Sequence, residues 1–231
     1  MQTTPALDLI NSADLIMFDL DGTLADSVPD LAAAINDMLR TYQMPAVTVE
    51  QVSHWVGNGA QVLVERTLKF ANSVPEPVHS NDTAIKPIST ETALASFLDA
   101  YDRRNGAHTR LYPGVADLLN GRSNQNKAIV TNKPIKPTHN ILKILGIHHH
   151  FSAIAGGDTF EHKKPHPQPL LELIRQHGAQ KPILIGDSVN DIQAARAAGI
   201  PVIAVSYGYN HGRPIREENP DQVVDSLAEL L

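Results

Sequence analysis

Short apolar runs with polar residues just beyond them recur along this chain. They are LIMF (Leu15–Phe18), AIV (Ala128–Val130), AIA (Ala153–Ala155), ILI (Ile183–Ile185) and VIAV (Val202–Val205). Runs this short without polar alternation predict strands buried on both faces, as in a parallel sheet. Between the later runs the apolar spacing becomes helical, over Thr138–Leu145, Gln168–His177 and Val189–Ala198, and Gly199 supplies a stop for the last. Strand and helix alternating at this spacing predict an α/β fold, a doubly wound parallel sheet.

From about Ser27 to Ala107 the rhythm changes. Helical spacing covers Pro29–Tyr42, Val49–Val56, Ala60–Ala71 and Thr92–Arg104, with no strand pattern between them. Pro29 suits a first helical turn, where a missing N–H costs nothing. Residues 27–107 therefore predict a helical insert, and residues 1–26 with 108–231 the α/β core. Within the insert, Asn72–Ser89 is rich in Pro, Ser and Asn and predicts an extended loop.

Composition removes several classes of function. A chain of 231 residues, 42% hydrophobic and 19% charged, can bury a substantial core. A net charge of −6 without a basic stripe argues against nucleic acid as a partner. The absence of cysteine excludes disulfides, thiolate metal sites and a cysteine nucleophile. The N-terminal stretch lacks a secretory pattern, and no apolar run approaches the roughly 20 residues that span a bilayer. The expectation is a soluble cytoplasmic protein, monomeric or homodimeric, without a membrane partner.

Ligands of an open parallel sheet bind beyond the carboxyl ends of its strands, so the residues after each run carry the functional signal. Asp19 and Asp21 follow the first run, Thr131 and Asn132 the second. Lys163 and Lys164 lie in the loop after the third, and Gly186, Asp187 and Ser188 follow the fourth, with Asp191 four residues past Asp187. Carboxylates, a hydroxyl, an amide and an ammonium thus arrive at one rim. Phosphoryl transfer through an aspartyl phosphate suits that set, because a carboxylate nucleophile splits one hard hydrolysis into two easier steps. Two unit charges 4 Å apart repel by about 1 kcal/mol in water and about 4 kcal/mol at an effective dielectric of 20. A Mg²⁺ ion on Asp19, Asp187 and the Asp21 carbonyl, together with the Lys164 ammonium, would reverse that repulsion. Asp19 is then the nucleophile, Asp21 the general acid and base, and Thr131 a donor to a phosphate oxygen. Gly22 permits the turn after the pair.

Weaker features have bland alternatives. Ser188 and Asp191 match a capping box, so Asp191 also reads as a helix cap. Gly57, Asn58 and Gly59 precede a helix and read equally as an ordinary turn or as an anion-binding nest for a substrate carboxylate. Arg66, farther along the same helix, reads as a surface or interdomain residue rather than a substrate ligand, and Lys163 as a solvated lysine. His148, His149 and His150 form a polar turn, and His162 and His166 lack the spacing of a zinc site.

DLDGT, VTN, KKPHPQP and GDSVND, in this order, resemble the four-motif signature of the haloacid dehalogenase superfamily. The resemblance covers the whole chain. It implies a Rossmann-like core, a cap domain inserted after the first strand, and Mg²⁺-dependent aspartyl-phosphate chemistry. By motif it implies Asp19 as nucleophile, Asp21 as acid and base, Thr131 as a phosphate contact, Lys164 as charge stabiliser and Asp187 as metal ligand. It gives Asp191 the role of steadying the lysine or a metal-bound water. SVPDLAAAI, HWVGNGAQVLVERTL, LYPGV and SYGYNHGRPI are similar to stretches of a branch that acts on 2-phosphoglycolate. That implies a small phosphate ester as substrate, and the Asn72–Ser89 loop is long for the branch. Other small phosphoesters, pyrophosphate, a sugar-phosphate mutase reaction and a non-catalytic phospholigand-binding role remain the alternatives.

Overall fold

In the computed structural model, residues 4–74, 88–104 and 106–231 are described. Helix α1 (Pro5–Ser12) leads into β1 (Leu15–Phe18), and the two-residue β2 (Ala25–Asp26) precedes four helices in succession. These are α2 (Val28–Thr41), α3 (Val49–Trp55), α4 (Ala60–Ser73) and α5 (Thr90–Arg104). The chain then returns through β3 (Arg110–Leu111), α6 (Val115–Gly121), β4 (Asn126–Val130), α7 (Ile135–Ile144) and β5 (Ala153–Ala155). It finishes with α8 (Gln168–His177), β6 (Pro182–Gly186), α9 (Val189–Ala198), β7 (Val202–Val205) and β8 (Gln222–Val224).

Six strands form one parallel sheet in the order β5-β4-β1-β6-β7-β8. β1 lies between β4 and β6, with Leu15 in register with both Asn126 and Pro182. Side chains alternate across a strand, and β1 shows the consequence. Ile16 and Phe18 join a core with α1, α6 and α7, whereas Leu15 and Met17 join the core under α8 and α9. Both faces of the sheet are therefore covered, which is the doubly wound architecture that the unbroken apolar runs predict.

Helices α2 to α5 close around a separate core that includes Leu31, Ile35, Met38, Leu63, Phe97 and Tyr101. Thr48 starts α3 with a full capping box through Gln51, and Asn36 clamps the preceding loop by bonding both the N–H and the C=O of Val47. Two chain crossings join this helical region to the sheet. They are zipped by the antiparallel β2–β3 pair, Ala25 opposite Leu111 and Asp26 opposite Arg110. The buried Asp30 carboxylate adds a clamp, accepting from the backbone N–H of His108 and of Thr109 and from the Thr109 hydroxyl. Asp30 thereby ties the start of α2 to the returning strand.

The structure corrects several boundaries. α1 and α6 have no counterpart in the apolar spacing, nor do β2, β3 and β8. β8 is a sheet edge of three residues, and β2 and β3 have two residues each, too short to show a period. α4 runs to Ser73, so the start of the expected Asn72–Ser89 loop is helical, and α5 begins at Thr90. Most of that loop lies outside the described residues. No helix among the described residues is long and apolar enough to cross a membrane.

Candidate active site

The carboxyl ends of β1, β4 and β6 open onto one rim beneath the helical region. β1 ends and Asp19 follows, its N–H held by the Ile185 carbonyl at 2.9 Å, so the sheet itself places the side chain. The chain then turns through Gly22, whose φ of +92° is in the left-handed region, and an added Cβ there would lie 2.2 Å from Asp187 Oδ2. Only glycine allows that approach. Asp187, at the end of β6, is fixed by the Thr23 hydroxyl at 2.9 Å and the Tyr209 N–H at 2.8 Å.

Lys164 reaches into this group of acids. Its Nζ lies 2.9 Å from Asp19 Oδ1 and donates to Asp191 Oδ1 at 2.6 Å. The Asp19 contact is an ion pair without hydrogen-bond alignment, and Asp19 Oδ1 has no hydrogen-bond partner among the described residues. Asp191 is fully buried, and its other oxygen accepts from the Ser188 N–H at 3.0 Å and the Ser188 hydroxyl at 2.7 Å. Both readings of Asp191 hold together, since one oxygen caps α9 and the other anchors the lysine.

Carboxylate oxygens of Asp19, Asp187 and Asp191 all lie within 4.8 Å of one another, against one ammonium. Burial pushes Asp19 up to about 6; Lys164 opposes this, and Asp191 adds to it. Asp187 stands well above the usual carboxylate range, first from burial and then from repulsion by Asp19 and Asp191. Its hydrogen-bond donors are neutral groups. Burial alone would lower Lys164, but Asp19 and Asp191 more than offset it and hold the ammonium above its ordinary value. This set is short of positive charge. Its oxygen donors fit a hard divalent cation such as Mg²⁺, so the residues present suit the expected metal.

Asp21 faces away from that cluster. It accepts from the Ser27 hydroxyl at 2.5 Å and lies 3.2 Å from Lys133 Nζ through each of its oxygens. Lys133 is buried, and its Nζ sits 4.5 Å from the ring centre of Tyr101 on α5. Thr131 and Asn132, at the end of β4, are both buried. The Asn132 amide donates to the carbonyls of Gly57 and Lys164, while its Oδ1 has no partner among the described residues. A cavity of about 50 Å³ opens here, with Asp19, Asp21, Thr131 and Lys133 on the sheet side and Leu31, Phe97 and Tyr101 among the groups of the helical side.

The sequence-predicted residues converge with few exceptions. Gly57 and Gly59 line the cavity at the start of α4, and the Asn58 side chain is held by Asn190 and Arg66. Arg66 also bonds the Trp55 carbonyl, so it braces the turn before α4. Lys163 is only half-buried, with its Nζ 2.9 Å from where a Gly59 Cβ would stand, so it reaches toward the helical region. His148 to His150 form a short turn, and the acid cluster is the one potential metal-holding group among the described residues. Sequence reasoning missed Lys133, Ser27, Thr23 and Tyr101. Lys133 had a signal, since it follows Asn132 at a strand end. Tyr101 had none, because it lies within a helix of the insert.

Comparisons with known proteins agree with this geometry. A family model described as haloacid dehalogenase-like hydrolase matches residues 16–205. The phosphoglycolate phosphatase of Pseudomonas putida is 46% identical over 94% of this chain and 78% of its own length. That of Aliivibrio fischeri is 44% identical over 94% of both chains. Among solved structures, a predicted phosphoglycolate phosphatase from Haemophilus somnus 129pt superposes with a TM-score of 0.86 at 37% identity, covering 94% of this chain and 96% of that one.

Proposed function

Because this chain belongs to the haloacid dehalogenase-like hydrolases, we propose that it is a Mg²⁺-dependent phosphatase that works through an aspartyl phosphate, with 2-phosphoglycolate as its leading substrate. The observation that carries this reading is Lys164, placed between Asp19 and Asp191 beside the buried Asp187 at the ends of two neighbouring strands.

Asp19, Asp187 and the Asp21 carbonyl would hold the metal. When bound, it supplies the positive charge that lets an anionic phosphate approach a carboxylate. An Asp19 oxygen attacks phosphorus, and the bond from phosphorus to the ester oxygen breaks. Asp21, in its acid form, gives its proton to that oxygen as the alcohol leaves. Asp21 then takes a proton from water, whose oxygen attacks phosphorus and releases phosphate from Asp19. Lys164 steadies Asp19 throughout, and Asp191 holds Lys164 in place. Thr131 and Asn132 orient phosphate oxygens, and the turn from Gly57 to Gly59 brings its backbone to the substrate's cavity just before α4. Residues 27–107 act as a cap domain that excludes water from the cavity.

Phosphate release by the purified protein, with and without Mg²⁺, tests the proposal. The panel is 2-phosphoglycolate, hexose phosphates, pyrophosphate and a mononucleotide. A large kcat/KM advantage for 2-phosphoglycolate, lost on chelation, is expected. Activity confined to another ester would overturn the substrate, and silence on every ester would overturn the phosphatase reading.

A further inference from the structure

Two donors on the cavity wall have no part in the reaction just described. Lys133 Nζ carries three N–H groups, yet its carboxylate partner is Asp21 alone, at 3.2 Å to each oxygen. The same ammonium lies 4.5 Å from the ring centre of Tyr101. Beside it, the Tyr101 hydroxyl is buried without a hydrogen-bond partner among the described residues, on a side chain only 5% exposed. Burying a hydroxyl unpaired is unfavourable, and here that hydroxyl stands beside an ammonium whose carboxylate partner is Asp21, on the wall of one cavity.

The rest of the wall decides what they take. Toward the helical region the lining is apolar, with Leu31, Val56, Leu63, Phe97 and Leu98. A cationic donor and a neutral donor in such surroundings suit a compact anion. The phosphate end of a substrate is committed to Asp19, Thr131 and Asn132, so this anion is a second group on the same molecule. Lys133 and Tyr101 line the same small cavity as Asp19 and Thr131, which keeps that group close to the ester.

We propose that Lys133 and Tyr101 form a receiving site for a substrate carboxylate, which makes the protein selective for small phosphate esters that carry an acid group next to the ester. This rests on the phosphatase reading above and adds to it the groups that choose the substrate. Lys133 comes from the end of β4 and Tyr101 from α5, so a bound carboxylate ties the helical region to the sheet. An ester without the acid leaves both donors unfilled, and a buried site built for a hydrogen-bonding group discriminates strongly against analogues that lack it.

The test compares 2-phosphoglycolate with ethyl phosphate, which has the same carbon chain and no carboxylate. The readout is the ratio of their kcat/KM values, in which effects on the shared chemistry cancel. The intact protein is expected to favour the acid ester by at least about 100-fold. In Tyr101→Phe, which keeps the ring, the ratio falls about tenfold, mainly through KM for the acid ester. In Lys133→Met it falls further, even though turnover of both esters drops with the loss of the Asp21 partner. A ratio near one in the intact protein, or an unchanged ratio in both variants, would overturn the receiving site while leaving the phosphatase reading intact. If the intact protein hydrolyses neither these esters nor any other, it is the phosphatase reading that has failed, and the receiving site falls with it.

Discussion

Two lysine–aspartate pairs flank the same cavity, and they are built differently. Lys164 is enclosed by Asp19 and Asp191, both buried and both held by the sheet and α9. Lys133 meets Asp21 at a longer 3.2 Å and lies against the ring of Tyr101, which belongs to the helical insert. Burial opposes the charge on each ammonium, and in each case the aspartates outweigh it and hold the lysine above its ordinary value. The first pair is locked within the core, and the second joins core to insert. The first pair carries the proposed nucleophile, Asp19, and the second sets the proposed acid and base, Asp21, beside the groups proposed to choose the substrate.

The sharpest way to separate the two sides is to neutralise each aspartate in turn. Asp19→Asn removes the proposed nucleophile, and turnover should fall by about 10⁴-fold or more. Asp21→Asn removes a proton donor and should cost about 10² to 10⁴-fold. Phosphate release measured beside circular dichroism would check both, and comparable losses would erase the distinction between the pairs.

Stability probes the locked pair next. Lys164→Met leaves three clustered carboxylates without their ammonium, and removing one partner of a buried pair costs about 3–5 kcal/mol. Urea unfolding of metal-free protein should show that loss.

The same shortage of charge gives a pH dependence. The folded Asp19 carboxyl titrates at about 6 against an ordinary 3.8, so between those values the folded state binds more protons than the unfolded one. Stability therefore falls as pH rises from about 4 to 6, by about 3 kcal/mol from this group, and Asp187 acts in the same direction. Melting of chelated protein should show a lower Tm at pH 7.5 than at pH 5. Added Mg²⁺ should recover the loss by binding the folded state. A metal-free Tm that rises over this interval would refute the charge reading of the cluster.

The smallest expected effect lies at the crossing between core and insert. The Tyr209 hydroxyl accepts from the Ser27 N–H at 3.1 Å and donates to Asp26 at 2.6 Å, while its own N–H holds Asp187. Tyr209→Phe keeps the ring and the backbone bond. It should cost about 1–2 kcal/mol in urea unfolding.

Much of the site was legible before any fold was known, for a definite reason. A parallel sheet presents all its carboxyl ends on one side, so residues that follow separate apolar runs must meet. Asp19, Thr131, Asn132 and Asp187 needed nothing more than that rule, and the glycine after Asp21 signalled the turn. The Rossmann-like core was equally open to reading, because strands buried on both faces contain no polar interruption. β8 and the β2–β3 pair were not legible, since a strand of two or three residues has no period and exists through its neighbours.

What the chain determined by itself was the list of groups at the rim and the order in which they arrive. Only the tertiary structure decided how charge is shared among them. Asp191 and Lys164 are 27 residues apart and Lys133 and Asp21 are 112 apart, and local sequence does not say which carboxylate each ammonium faces. Tyr101 is one apolar position of a helix until α5 packs against α2 and α4 and the fold makes Tyr101 part of a cavity wall with Thr131 and Lys133. Local propensity acts over a few residues, whereas burial and pairing depend on segments that meet only when the chain is folded.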